Sequence, residues 1–259
     1  MSGKSFKIDL SESFEHLPNA PIVEAVIHWR ARAERKFEPD ALLQQLKERL
    51  PEYPHQQRQQ EIGVGAEIGP EGASLQQRHT WHGYRFESAD KLYVAQFTRN
   101  GFVFSRLEPY EGWEAFEVEA KRLWGIYREL AEPSEVQRLG VRFINLITPV
   151  QPEQLADLLI VPPRCPEGLD LPLRGFMHQS TLEIPGHPYH LSTIQTIQPP
   201  SPPERESFGL ILDLDVFTTK PISFDGIDSR LLQMQWIKNK AFFSFLKKPA
   251  LDRFRSHTR

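Results

Sequence analysis

The chain has 259 residues, 31 Lys+Arg against 34 Asp+Glu, a formal charge of -3, 39% hydrophobic and 11% aromatic residues, and one cysteine. Its 17 Phe and 5 Trp exclude a disordered chain, the single Cys165 excludes a disulfide scaffold, and the near-neutral balance excludes a globally basic nucleic-acid binder while leaving room for a local basic face. Met1–Leu10 lacks the apolar stretch of a signal peptide, and no apolar run reaches the about 18 residues of a membrane span, so a cytoplasmic protein without a membrane partner is expected.

Ala20–Trp29 alternates apolar and polar residues and is β-branched, which predicts a strand entered through Pro21. Phe37-Glu38-Pro39-Asp40 opens a helix with proline in its first turn. Leu42, Leu43, Leu46 and Leu50 share one face of it, and Pro51 and Pro54 stop it. Three β segments follow: Gln59–Ile68, Gln76–Glu87 and Leu92–Leu107. The last is broken by Arg99-Asn100-Gly101, a hairpin signal because Asn and Gly both tolerate positive φ. Gly112–Leu130 is helical, with Trp113, Phe116, Ala120, Leu123, Trp124 and Tyr127 recurring at three and four, and Pro133 ends it.

The order then restarts. Val136–Val150 predicts a strand and Pro152–Leu159 a short helix; Leu173–Ile184, Tyr189–Ile197 and Phe208–Phe217 predict strands, and Asp228–Phe245 a long helix. The expected organisation is a lead over 1–17, α+β units over 18–131 and 134–248, and a tail over 249–259. The expected fold class is α+β, a duplicated β-α-β-β-β-α unit forming one curved antiparallel sheet with helices packed on one face. In element order this resembles TATA-binding-protein-like folds, a topological likeness that carries no function.

Four segments, Leu17-Pro18-Asn19-Ala20-Pro21-Ile22-Val23-Glu24-Ala25-Val26, the Trp113…Trp124 helix, Arg138-Leu139-Gly140-Val141-Arg142-Phe143-Ile144-Asn145 and Leu212-Asp213-Leu214-Asp215, together resemble a sporadically distributed, functionally uncharacterised bacterial family of about 250 residues. The resemblance covers nearly the whole chain and brings no catalytic residues. Its patchy occurrence implies an accessory role in a bacterial stress or defence system, of CRISPR-associated or toxin–antitoxin type.

Motif chemistry is sparse. Gly63, Gly65 and Gly69 lack the spacing of a phosphate loop, and Pro70 follows where a helix would have to start. His79 and His82, like His187 and His190, are three apart on expected strands and so point to opposite faces. Cys165 has no partner thiol and no motif-placed histidine. No cofactor and no metal are expected. The weak catalytic candidates are Asp213 and Asp215, two apart on a strand and therefore on one face, where paired carboxylates could hold Mg²⁺ for hydrolysis.

Arginines accumulate on the strands, at Arg30, Arg32, Arg78, Arg85, Arg99, Arg106, Arg138, Arg142 and Arg174, several beside aromatics as in Arg78-His79-Thr80-Trp81-His82-Gly83-Tyr84-Arg85. Guanidinium forks beside rings suit a carboxylate-rich protein partner or a nucleic acid, and cross-strand pairing with acids would instead neutralise them. The expected binding surface is Trp81, Tyr84, Arg85, Arg99, Arg106, Arg138 and Arg142. Three functions stay open: a non-enzymatic protein-binding accessory protein, a nucleic-acid binder using the same arginines, and an Mg²⁺-dependent hydrolase at Asp213 and Asp215. The Pro199–Pro203 stretch is expected to be an extended connector.

Overall fold

In the computed structural model, Ile22–Arg30 form β1, with Ala25, Ile27 and Trp29 buried and Arg30 exposed, the alternation of a strand with one face on a core. The structure describes residues 6–69, 72–166, 168–169, 171–200 and 207–255, without the side chains of 61–79. Residues 201–206 of the Pro-rich connector, and the side chains of Arg78 and His79, therefore lie outside the described residues.

After β1 come α1 (Pro39–Arg49), β2 (His55–Gly69), β3 (Gly72–Glu87), β4 (Tyr93–Thr98), β5 (Gly101–Leu107) and α2 (Trp113–Ala131). The second run is β6 (Arg138–Val150), a 3₁₀ turn leading into α3 (Leu155–Leu158), β7 (Met177–Glu183), β8 (Tyr189–Gln198), β9 (Phe208–Thr218), α4 (Ile227–Phe245) and α5 (Lys248–Arg255). The nine strands follow the hydrogen-bonded order β2-β3-β4-β5-β1-β6-β9-β8-β7. In each run the first strand lies beside the last, and the meander leads outward from there. The class is α+β with an antiparallel sheet, as expected. Residues 248–255, placed in the expected tail, form α5, whose Ala250 and Phe254 are buried.

The chain divides into two units, one comprising 1–27, 107–110 and 138–259, the other 28–106 and 111–137. In the second unit, α1 and α2 cover one face of β3, β4 and β5. Trp29 stacks on Trp124 at 5.4 Å, Phe104 stacks on Phe116 at 5.4 Å, and the Tyr84 hydroxyl donates to the Pro39 carbonyl at 3.1 Å. The buried Tyr127 hydroxyl donates to the carbonyls of Ala31 (2.7 Å) and Thr98 (3.1 Å), fixing two strand ends that would otherwise bury unmet acceptors. The β4–β5 hairpin turns at Arg99-Asn100, but only Gly101 takes a positive φ, +151°. Asn100 is not in the left-handed region, since Lys91 and Glu132 are the non-glycine residues there among those described. The expected hairpin is present, and of the two residues that tolerate positive φ only Gly101 uses it.

In the other unit, the meander β9-β8-β7 extends from β6, and α4 packs over β6 and β9. Leu139, Val141, Phe143 and Ile147 of β6 and Leu212, Leu214 and Val216 of β9 face α4 residues Leu231, Met234 and Ile237 in a core from which solvent is excluded. Lys238 of α4 is only 9% exposed and lies 3.8 Å from the centroid of the Phe143 ring. The N-terminal residues pack on α4 through Phe6 and Phe14, whose rings meet Trp236 at 5.8 and 6.2 Å. Asn145 is buried on the helix-facing side, and its Nδ2 donates to the Leu212 carbonyl at 2.9 Å.

Candidate functional site

The expected site residues divide into three environments. On β6 and β9, the face opposite α4 carries Arg138, Gly140 and Arg142 across from Asp213, Asp215 and Phe217. Gly140 pairs with Phe217 and Arg142 with Asp215 in the antiparallel register. Arg142 reaches diagonally: its Nε lies 2.8 and 3.1 Å from the two Asp213 oxygens and its Nη2 lies 2.5 Å from Oδ2. This fork-on-carboxylate geometry uses both oxygens of an aspartate that is itself 6% exposed. Arg138 extends across Gly140, stacks 4.4 Å over the Phe217 ring and donates from Nη2 to Asp215 Oδ2 at 2.7 Å. A Cβ on Gly140 would lie 2.7 Å from the Arg138 Nη1, so the missing side chain is what lets the guanidinium lie flat. The sequence offered Asp213/Asp215 and Arg138/Arg142 as separate sites; the structure brings them together as two ion pairs.

The electrostatics follow from this pairing. The hydrogen bonds it donates to Asp213 hold the Arg142 guanidinium above its usual pKa, with Asp215 and Glu24 adding to the effect. Burial pushes the Asp215 carboxyl up, against the pull of Arg138. Among the described residues, no group of three or more His, Cys, Asp and Glu converges on a common point. Arg142→Ala is expected to cost about 2–3 kcal/mol in urea denaturation, because it leaves a buried carboxylate without its partner; the half-exposed arginine keeps the loss below the 3–5 kcal/mol of a fully buried pair. Restoration by a paired Arg142→Leu/Asp213→Leu substitution would identify the loss as an unmet charge.

Two expected binding residues are interior. Tyr84 is 3% and Arg106 is 2% exposed. Both follow strand parity: Tyr84 alternates with Phe86, and Arg106 alternates with Phe102 and Phe104, so each faces the helices. The Arg106 guanidinium lies 4.4 Å over the Tyr93 ring, with Nη2 3.2 Å from Glu111 Oε1. Neither can belong to an open binding face, and that part of the expected surface is corrected. Arg85 is paired within its own strand, its Nη2 2.7 Å from Glu87 Oε1.

Trp81 and Arg99 remain, and they line a cleft in the second unit. Its volume is about 820 Å³, and its wall includes Arg30, Arg32, Phe37, Trp81, His82 and Arg99. β1 delivers Arg30, and Arg32 follows on the far side of the buried Ala31. The Ala31 N–H donates to the Asn100 carbonyl and the Ala33 N–H to the Arg99 carbonyl, each at 3.0 Å, which holds the hairpin turn beside both arginines. Phe37 meets Trp81 edge-on at 6.4 Å. A bulge opposite Gln59/Gln60 makes His82 the extra residue of β3, because Gln59 pairs with Gly83 and Gln60 with Trp81. That extra residue brings Trp81 and Tyr84 to the same side of the strand, with their ring centroids 5.6 Å apart.

Other cations of the cleft are engaged, Arg35 with Glu132 at 3.5 Å and Lys36 with Glu38 at 3.3 Å. Among the described residues, the guanidinium groups of Arg30, Arg32 and Arg99 carry no hydrogen bond or ion pair. Sequence reasoning counted Arg30 and Arg32 among the strand arginines but left them out of the binding surface; the available signal was an Arg-x-Arg step continuing off a strand end. No protein-family model matches the chain, and no curated protein matches its sequence.

Proposed function

We propose that this chain is a non-enzymatic binding protein that docks another protein through the basic cleft of the second unit. One observation carries the reading: Arg138, Arg142, Arg85 and Arg106 are matched by Asp215, Asp213, Glu87 and Glu111, whereas Arg30, Arg32 and Arg99 stand together unmatched in a concave, partly aromatic site. Arginine and tryptophan dominate interface hot spots because a planar cation and a large ring each bury much area at a low ordering cost. Unmatched rim charge raises association rates and excludes like-charged partners.

Affinity capture on the tagged protein, compared with an Arg30→Glu/Arg32→Glu/Arg99→Glu variant, tests this. A stoichiometric protein partner held by the wild type and lost from the variant, with an unchanged circular-dichroism melt, is the expected outcome. Equal capture by both proteins, or stoichiometric nucleic acid in place of protein, refutes it.

A further inference from the structure

We infer that the cleft takes an extended acidic peptide segment whose carboxylates sit on alternate residues, an inference that rests on the protein-docking reading above. Arg30 and Arg32 flank one buried residue, Ala31, and so project from the same side of the strand and its continuation. Alternate residues of extended chain repeat at about 6.6–6.8 Å. A second extended chain laid alongside presents its own alternate side chains at that same interval, so an acid-x-acid step matches the two guanidiniums without bending either backbone.

Arg99 provides the third position. Its backbone is hydrogen-bonded to Ala33, one strand spacing away at about 4.8 Å, so it can meet a further carboxylate from the side. Each free guanidinium offers a planar fork suited to a two-oxygen acceptor. Phe37 and Trp81 on the same wall give apolar ground for the uncharged residues between the acids.

The charge inventory favours this ligand over a nucleic acid. Three unmatched arginines share the wall with Glu34 and Glu38, and proteins that follow a phosphate backbone neutralise about 6–10 phosphates. A short acidic motif needs only the three.

Fluorescence anisotropy with a labelled alternating glutamate–valine peptide, and with oligothymidylate of equal charge, measured at low and physiological salt, tests the inference. The expected result is saturable peptide binding that is weakened about tenfold or more by Arg32→Ala or Arg99→Ala, the loss of one charge-assisted pair, and abolished by the triple charge reversal. Absence of binding to the wild type, equal affinity for the triple variant, or tighter binding of the oligonucleotide at physiological salt overturns it. If affinity capture still yields a partner through these arginines while the peptide does not bind, the acidic-segment chemistry is wrong and the docking reading survives. If capture is also independent of the arginines, both fall.

Discussion

At about pH 6, the Lys238→Met protein is expected to resist urea better than the wild type by about 3–5 kcal/mol, with the advantage gone by about pH 11. Burial between α4 and the sheet pushes the Lys238 amine down from 10.5 to about 7. A difference of that size corresponds to about 5 kcal/mol against folding with the lysine charged. The Phe143 ring face, 3.8 Å away, attracts the ammonium and works against that cost.

The sign follows from proton binding. Below about pH 7 the amine is protonated in both states, and the full burial cost falls on the folded protein. Between about 7 and 10.5 the unfolded chain holds more protons, so wild-type stability rises with pH. Methionine has similar length and no charge, so its stability is flat over this window. Denaturation midpoints at several pH values check this. A gap that stays constant with pH would place the cost in packing rather than in charge.

Gly101→Ala is expected to act in the opposite direction, costing about 4 kcal/mol. A Cβ there would lie 2.0 Å from the Trp29 carbonyl oxygen and 3.0 Å from the Ala31 nitrogen, both backbone atoms that cannot rotate away. The φ of +151° adds strain for any L side chain. Because Trp29 stacks on Trp124 and packs at a tilt against Phe102, relief requires moving the aromatic core of the second unit. A fall in thermal midpoint with loss of near-ultraviolet circular dichroism would register this, and an unchanged near-ultraviolet spectrum would count against it.

Much of the fold was legible because most elements declare their period. The Trp113–Ala131 helix, the alternating β1 and β9 and the Asn-Gly hairpin each combine burial pattern with turn chemistry, and these are local properties. Helix α5 was missed because its apolar content is only Ala250, Leu251 and Phe254, too few to show a face without the partner it packs against. For the site, alternation alone would have sent Arg106 inward with Phe102 and Phe104. The pairing of Arg142 with Asp213 and of Arg138 with Asp215 depends on β6 lying beside β9, a neighbourhood about seventy residues apart in sequence that local reasoning does not reach. The cleft was illegible for the same reason, since it exists only where residues 30–39, 80–82 and 99–100 converge.

The unmatched arginine trio also fixes how the free protein answers to its solvent. Two unit charges about 7 Å apart in water repel by about 0.6 kcal/mol, and hydrogen bonds from Ala31 and Ala33 keep this array from spreading. Dissolved anions screen that repulsion within about one Debye length. Relief of this repulsion is expected to raise the thermal midpoint of the second unit as ionic strength rises, with multivalent anions acting at lower concentrations than chloride.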